Sequence, residues 1–155
     1  MPTAQVAITN LMRTVGALSV TTQGFLQLYP YQVVAWTLTV PQGTPLGKIV
    51  PDFKRFTRRL RGRYSDVHLL WTLAAHAPSF HPHIHLLVNR SYSTGVMGQM
   101  LRGTCFGITY RRALSREEYA AGSRYDYLAF NLYRTRTTNP DGLKHQRLWG
   151  VVAGK

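Results

Sequence analysis

Phe80-His81-Pro82-His83-Ile84-His85-Leu86-Leu87-Val88 reads as a β-strand with one chemical face and one core face. Side chains alternate along a strand, so His83 and His85 project to one side while Ile84, Leu86 and Val88 project to the other. Proline lacks an amide N–H and suits a strand start, which puts the strand at about Pro82 to Asn89. Upstream, Val67 to His76 has the same strand-like composition. Ala77-Pro78-Ser79-Phe80 supplies the turn between them, so the two segments predict an antiparallel hairpin.

Outward from the hairpin, VVAWTLTV (33–40) is β-branched and aromatic and stops at Pro41-Gln42-Gly43, a strand and a turn. Pro51 and Asp52 suit a helix start, and Phe53, Phe56 and Leu60 recur at helical spacing. Ser93 can cap a short helix to about Leu101. Thr104 to Arg111 alternates again, with Phe106, Ile108 and Tyr110 expected on one face. Ser115-Arg116-Glu117-Glu118 is a capping box, placing a helix from about residue 116. Gly122 is expected to break it, with Ser123 starting a second segment to about Arg134. Asn139-Pro140-Asp141-Gly142 is a turn, and Leu148 to Val152 a last strand. Residues 1–30 mix Thr, Gly and apolar side chains and predict a strand or short helix beside the core. The fold class expected is α+β: an antiparallel sheet with helices mainly on one face.

The chain has 155 residues, enough for one domain with a proper core. Lys and Arg number 19 against six acids, a formal charge of +13. That excess favours a polyanionic partner, above all nucleic acid, because neutralised phosphates release counterions. Arg58, Arg59, Arg61 and Arg63 lie on the amphipathic helix with no interleaved acids, so they are the candidates for DNA-backbone contacts. A lone cysteine, Cys105, suits a reducing, cytoplasmic or host-cell interior and reads as a packing residue. No apolar run approaches the roughly 18 residues that span a bilayer, and no signal-peptide pattern opens the chain.

Imidazoles two apart on one strand face can share a divalent cation, Mn²⁺, Zn²⁺ or a similar ion, and leave positions for substrate; Mn²⁺ or Mg²⁺ is the cofactor expected. His76 or His81 is the candidate third ligand. Such an ion polarises a phosphodiester, and a nucleophile is then required. Tyr125, Tyr127 and Tyr133 lie on one predicted helix, where a phenol can attack phosphorus and store the bond as an ester. Tyr127 shares a helical face with Asn131 and Arg134, which can hold a phosphate.

In order, TLTV (37–40), HIHLLV (83–88) and YLAFNLY (127–133) resemble the three motifs of HUH-superfamily replication initiators, the Rep proteins of rolling-circle elements. The helix KRFTRRLRGR (54–63), Trp71-Thr72-Leu73 and Arg147-Leu148-Trp149-Gly150 are also similar to that family. The resemblance spans about residues 33–152 of a single domain. It implies a five-stranded antiparallel sheet with flanking helices, and a metal-dependent, strand-specific endonuclease and ligase for single-stranded DNA or an origin hairpin. It implies His83 and His85 as the metal pair and Tyr127 as nucleophile, with a monomeric or weakly oligomeric protein served by a separate helicase. Where members carry Glu on the preceding strand this chain has Ala74, and His76 can substitute. Phe130 and Asn131 stand where relatives carry a Lys or second Tyr, which favours a single-tyrosine enzyme. HUH transposases and relaxases share the chemistry. His81-Pro82-His83-Ile84-His85 also fits histidine-triad nucleotide hydrolases, which need neither metal nor tyrosine. A non-catalytic module binding single strands through exposed aromatics is the third class.

Overall fold

A computed structural model describes residues 4–121, 126–143 and 146–154. In chain order the elements are α1 (Ala4–Leu28), β1 (Val34–Thr39), α2 (Leu46–Arg63), β2 (His68–Ala74) and β3 (His83–Val88). They continue with α3 (Thr94–Met100), β4 (Gly107–Ala113), α4 (Arg116–Ala121), α5 (Tyr127–Thr138) and β5 (Trp149–Ala153). The five strands form one sheet in the order β4-β1-β3-β2-β5, with every neighbouring pair antiparallel. The expected α+β class holds. Among the described residues no helix is long and apolar enough to cross a membrane.

The histidine strand β3 is central. Ile84, Leu86 and Val88 pair in register with Leu38, Trp36 and Val34 of β1 and with Leu73, Trp71 and Leu69 of β2. Helix α2 covers this face: its stripe Ile49, Phe53, Phe56 and Leu60 is buried, and Phe53 meets Trp71 edge-on at 5.2 Å. The opposite face carries the histidines and is covered by α5 and α1, whose Leu18, Phe25 and Leu26 join the core. Helices therefore pack on both faces rather than mainly on one. The reason lies in β3, which is apolar on both sides at Leu87 as well as Leu86 and needs two covers.

Three elements depart from expectation. Residues 4–28 form a 25-residue helix. Their threonines suggested a strand, but Thr9, Thr14, Thr21 and Thr22 each donate to the carbonyl four residues back, which satisfies the hydroxyls within a helix. Helix α2 starts at Leu46, a turn before Pro51, because Ile49 extends the buried stripe upstream and outweighs the proline. Strand β4 begins at Gly107, since Asp52 accepts from the Cys105 N–H at 2.8 Å and holds residues 104–106 in a turn. A register shift then pairs Ile108 with Leu38 but Tyr110 with Thr37, so those two side chains face opposite sides of the sheet. The parity expected for Phe106, Ile108 and Tyr110 is broken there, and Tyr110 joins the histidine face.

Other expectations stand. Ser93 caps α3 by accepting from the Val96 N–H at 3.1 Å. Ser115 and Glu118 form the reciprocal capping box of α4. The turn after α5 needs Gly142, because a Cβ there would lie 2.2 Å from Asn139 Oδ1.

Candidate metal and tyrosine site

Cross-strand register builds the site floor. Thr37 and Thr72 flank His85, and Thr39 and Ala74 flank His83. These small neighbours leave room above the sheet for two imidazoles. Their ring centroids are 4.6 Å apart and perpendicular.

Each ring is held differently. The His83 Nδ1 lies 2.8 Å from the His81 carbonyl, an acceptor only, so Nδ1 carries the proton and donates. The Nε2 lone pair of His83 is thereby left available. His85 Nδ1 faces two hydroxyls, Tyr127 Oη at 3.1 Å and Thr37 Oγ1 at 3.3 Å. His85 Nε2 is buried and has no hydrogen-bond partner among the described residues. Burial, then the neighbouring His83 and His76, hold the His85 pKa down to about 3, against a smaller raising effect of Asn131. Burial also lowers that of His83. At neutral pH both rings are neutral, the state that coordinates metal.

Helix α5 sets the position of Tyr127. Its C-terminal half is laced to the connection after β2: Thr135 and Thr138 accept from the Ala75 and Ala77 N–H groups, and Asn139 donates to the Ala75 carbonyl. Two turns upstream, roughly 12 Å along the axis, Tyr127 sits with its ring centroid 4.8 Å from that of His85. Burial raises the Tyr127 pKa, as does Tyr110, while Thr37 and Arg112 act to lower it. Tyr133 lies on a different side of α5 and is about as exposed as Tyr127. Tyr125 lies outside the described residues.

Both expected third ligands have ring nitrogens engaged by other groups. The His76 ring centroid is 5.5 Å from that of His83, but its Nδ1 faces the Ala77 carbonyl at 3.0 Å and its Nε2 faces Asn131 Oδ1 at 3.2 Å. Asn131 in turn donates to the Tyr127 carbonyl at 2.8 Å. His81 directs Nε2 onto the Val40 carbonyl, away from the row a histidine triad would need. Among the described residues no three His, Cys, Asp or Glu side chains are grouped to hold an ion. The histidine pair alone remains. It offers two ring nitrogens, His83 Nε2, left free by the Nδ1 bond, and His85 Nε2, without a partner among the described residues, and neutral imidazole nitrogens are donors suited to a divalent cation.

In comparisons with known proteins, no family model, no curated protein and no solved structure matches the chain.

The remaining sequence candidates divide by location. Arg134 is beside the site, donating to the Ala77 carbonyl at 2.9 Å. Arg58, Arg59, Arg61 and Arg63 ride on α2, on the far face of the sheet. Arg59 donates to the Met100 and Arg102 carbonyls and so ties α2 to the end of α3. Arg63 lies over the Tyr64 ring at 5.7 Å.

Sequence reasoning missed Thr37, Tyr110 and Arg112. Thr37 pairs with both His85 and Tyr110, so the row Tyr110–Thr37–His85–Thr72–Trp149 crosses the whole sheet on one face. Arg112 donates Nε to the Tyr110 hydroxyl at 2.5 Å, and its two terminal nitrogens to Glu118. Only the strand register reveals this row. The one sequence signal was Tyr110 itself, an aromatic hydroxyl in an alternating segment.

Proposed function

We propose that this protein is a metal-assisted nicking and joining enzyme for single-stranded DNA, of the HUH replication-initiator type. One observation carries the reading: Tyr127 Oη lies 3.1 Å from His85 Nδ1 while the opposite nitrogen of that ring is buried with no partner among the described residues. The formal charge of +13 supplies a reason for a polyphosphate substrate.

His83 Nε2 and His85 Nε2 are the nitrogens that would hold Mn²⁺ or Mg²⁺. When bound, such an ion polarises a phosphodiester oxygen and offsets charge in the transition state. An occupied Nε2 requires the proton of His85 on Nδ1, where it donates to Tyr127 Oη. That bond favours the phenolate, the attacking form of the side chain. The phenol first gives up its proton to solvent, because His85 Nδ1 already carries one; the phenolate oxygen then forms a bond to phosphorus as the bond to the 3′ oxygen breaks. The 3′ oxygen takes a proton from solvent, and the new 5′ phosphate stays esterified to Tyr127. A 3′ hydroxyl attacking the same phosphorus reverses the step and rejoins the strand. Asn131 fixes the first turn of α5 through the Tyr127 carbonyl, and Thr37 shares the hydrogen bonding of His85.

The test uses labelled single-stranded oligonucleotides tiling both strands of the DNA around the coding sequence. Cleavage at one position, dependent on Mn²⁺ and stopped by chelator, is the expected result. Cleavage that persists in chelator would point to triad-type hydrolysis. Salt-sensitive binding with no cleavage across the whole tiling would leave only a binding module.

A further inference from the structure

On the sheet face turned away from the histidines, a cleft of about 340 Å³ opens between α2 and β5. That is the lower end of the small-ligand range, roughly 300–1,000 Å³. Its walls include Phe53, Thr57, Trp71, Ile84 and Val152, and the exposed Lys54 and Arg147 also line it. Gly150 shapes one wall. It pairs with Trp71 across the strands, and a Cβ there would lie 2.8 Å from the indole nitrogen. The indole can therefore lie down over β5 as a flat aromatic surface, with Phe53 edge-on to it.

The cations of α2 separate into two rows. Arg55 and Arg59 donate to the Gly103, Met100 and Arg102 carbonyls and are used inside the protein. Lys54 lines the cleft, and Arg58 and Arg61, four and seven residues on, continue its row along α2. The single acid of this helix, Asp52, points the other way to Cys105 and Lys48. A flat apolar slot thus opens beside a cationic row that no acid of α2 neutralises. A planar aromatic group linked to phosphates complements both features.

We propose that this cleft takes one unpaired nucleobase of a single-stranded DNA whose phosphates follow Lys54, Arg58 and Arg61. The proposal rests on a single-stranded DNA partner, as above, but not on cleavage. One end of the cleft reaches the histidine end of the sheet, because its lining residues Leu73 and Ile84 alternate with Ala74, His83 and His85. One strand passing around that end can occupy both.

Fluorescence anisotropy in chelator, so that nothing is cut, compares a 12-nucleotide thymidine oligomer with an abasic 12-mer of equal charge. The wild type is expected to bind the thymidine oligomer at least about fivefold more tightly, since one stacked base contributes that much or more. Thr57→Phe fills the cleft from the helix surface and should bring both DNAs to the abasic affinity. Lys54→Ala, at an exposed site, should lower the slope of log affinity against log salt by about 0.7. An undiminished base preference in Thr57→Phe overturns the cleft proposal, as does equal binding of the two DNAs by wild type. If Thr57→Phe is misfolded by circular dichroism, an unchanged salt slope in Lys54→Ala overturns it instead. Absence of binding to either DNA overturns the partner itself. Metal-dependent nicking by a Thr57→Phe protein that has lost base preference keeps the two readings separate.

Discussion

His85 is asked to do two things with one ring: present Nε2 to a cation and Nδ1 to a phenol. Tyr127→Phe removes the attacking oxygen but keeps the ring that packs beside His85, so DNA binding should stay within about twofold while nicking falls below detection. Tyr133→Phe should leave nicking unchanged, and a loss there would move the nucleophile to Tyr133. His83→Ala or His85→Ala should each lower metal-stimulated cleavage by at least about 100-fold, since even outer-sphere partners of a metal site are worth 10–100-fold. Stability in chelator gives an independent reading of His85. Its folded pKa is depressed, so the unfolded chain takes up a proton that the native state refuses. Stability is then full above the ordinary histidine value of about 6.5 and falls as pH drops from there towards about 3. Thermal melts of His85→Gln should show a shallower fall over that window; an equally steep fall would mean that other groups govern it. The histidine pair was legible in the sequence because alternation along one strand is a local rule. Thr37 and Tyr110 were not, because their place beside His85 depends on the register of β1 and on a bulge opposite it.

At the scale of elements, α2 shows packing overruling a local signal. Pro51 resembles a first-turn residue, yet it sits inside the helix and deprives the Gly47 carbonyl of its partner. Pro51→Ala should restore that bond and stabilise the protein by about 1–3 kcal/mol, measured by denaturant unfolding. A destabilised variant would mean that the proline bends α2 into its place. Asp52 anchors the same helix. Burial pushes its carboxyl pKa up, but the Cys105 N–H and Lys48 outweigh that and leave it below the usual value. Its contribution is present above about pH 4 and disappears as pH falls through the lower folded pKa. Asp52→Ala also strands the Cys105 N–H and should cost about 1–3 kcal/mol. Cys105 itself, its thiol pushed up to about 11 by burial and then by Asp52, should react slowly with thiol reagents, and somewhat faster, but still slower than a free thiol, once Asp52 is removed. Capping boxes, the strand composition and the turn at Gly142 were legible because each lies within a few residues. The long α1 was not, since its threonine hydroxyls find their partners only once the helix exists.

Across the whole molecule, the sheet separates two kinds of chemistry. One face holds the imidazoles and Tyr127; the other is covered by the basic helix α2. Net charge was legible in the sequence, but its distribution was not, because the sides of α2 are distinguished only by what α3 and β5 present to them. Arg58→Ala should weaken single-stranded DNA binding and reduce its salt slope by about 0.7, whereas Arg59→Ala should act mainly on stability. Salt titrations and melts of the two variants check this directly. The central claim concerns the bond between protein and DNA. Incubation with Mn²⁺ and the cleaved oligonucleotide, followed by nuclease digestion and mass spectrometry of the peptides, identifies the residue carrying the 5′ phosphate. The account predicts that residue to be Tyr127, with no adduct in Tyr127→Phe. A nucleotide linked to His85 through a P–N bond, or an adduct on any other tyrosine, contradicts it.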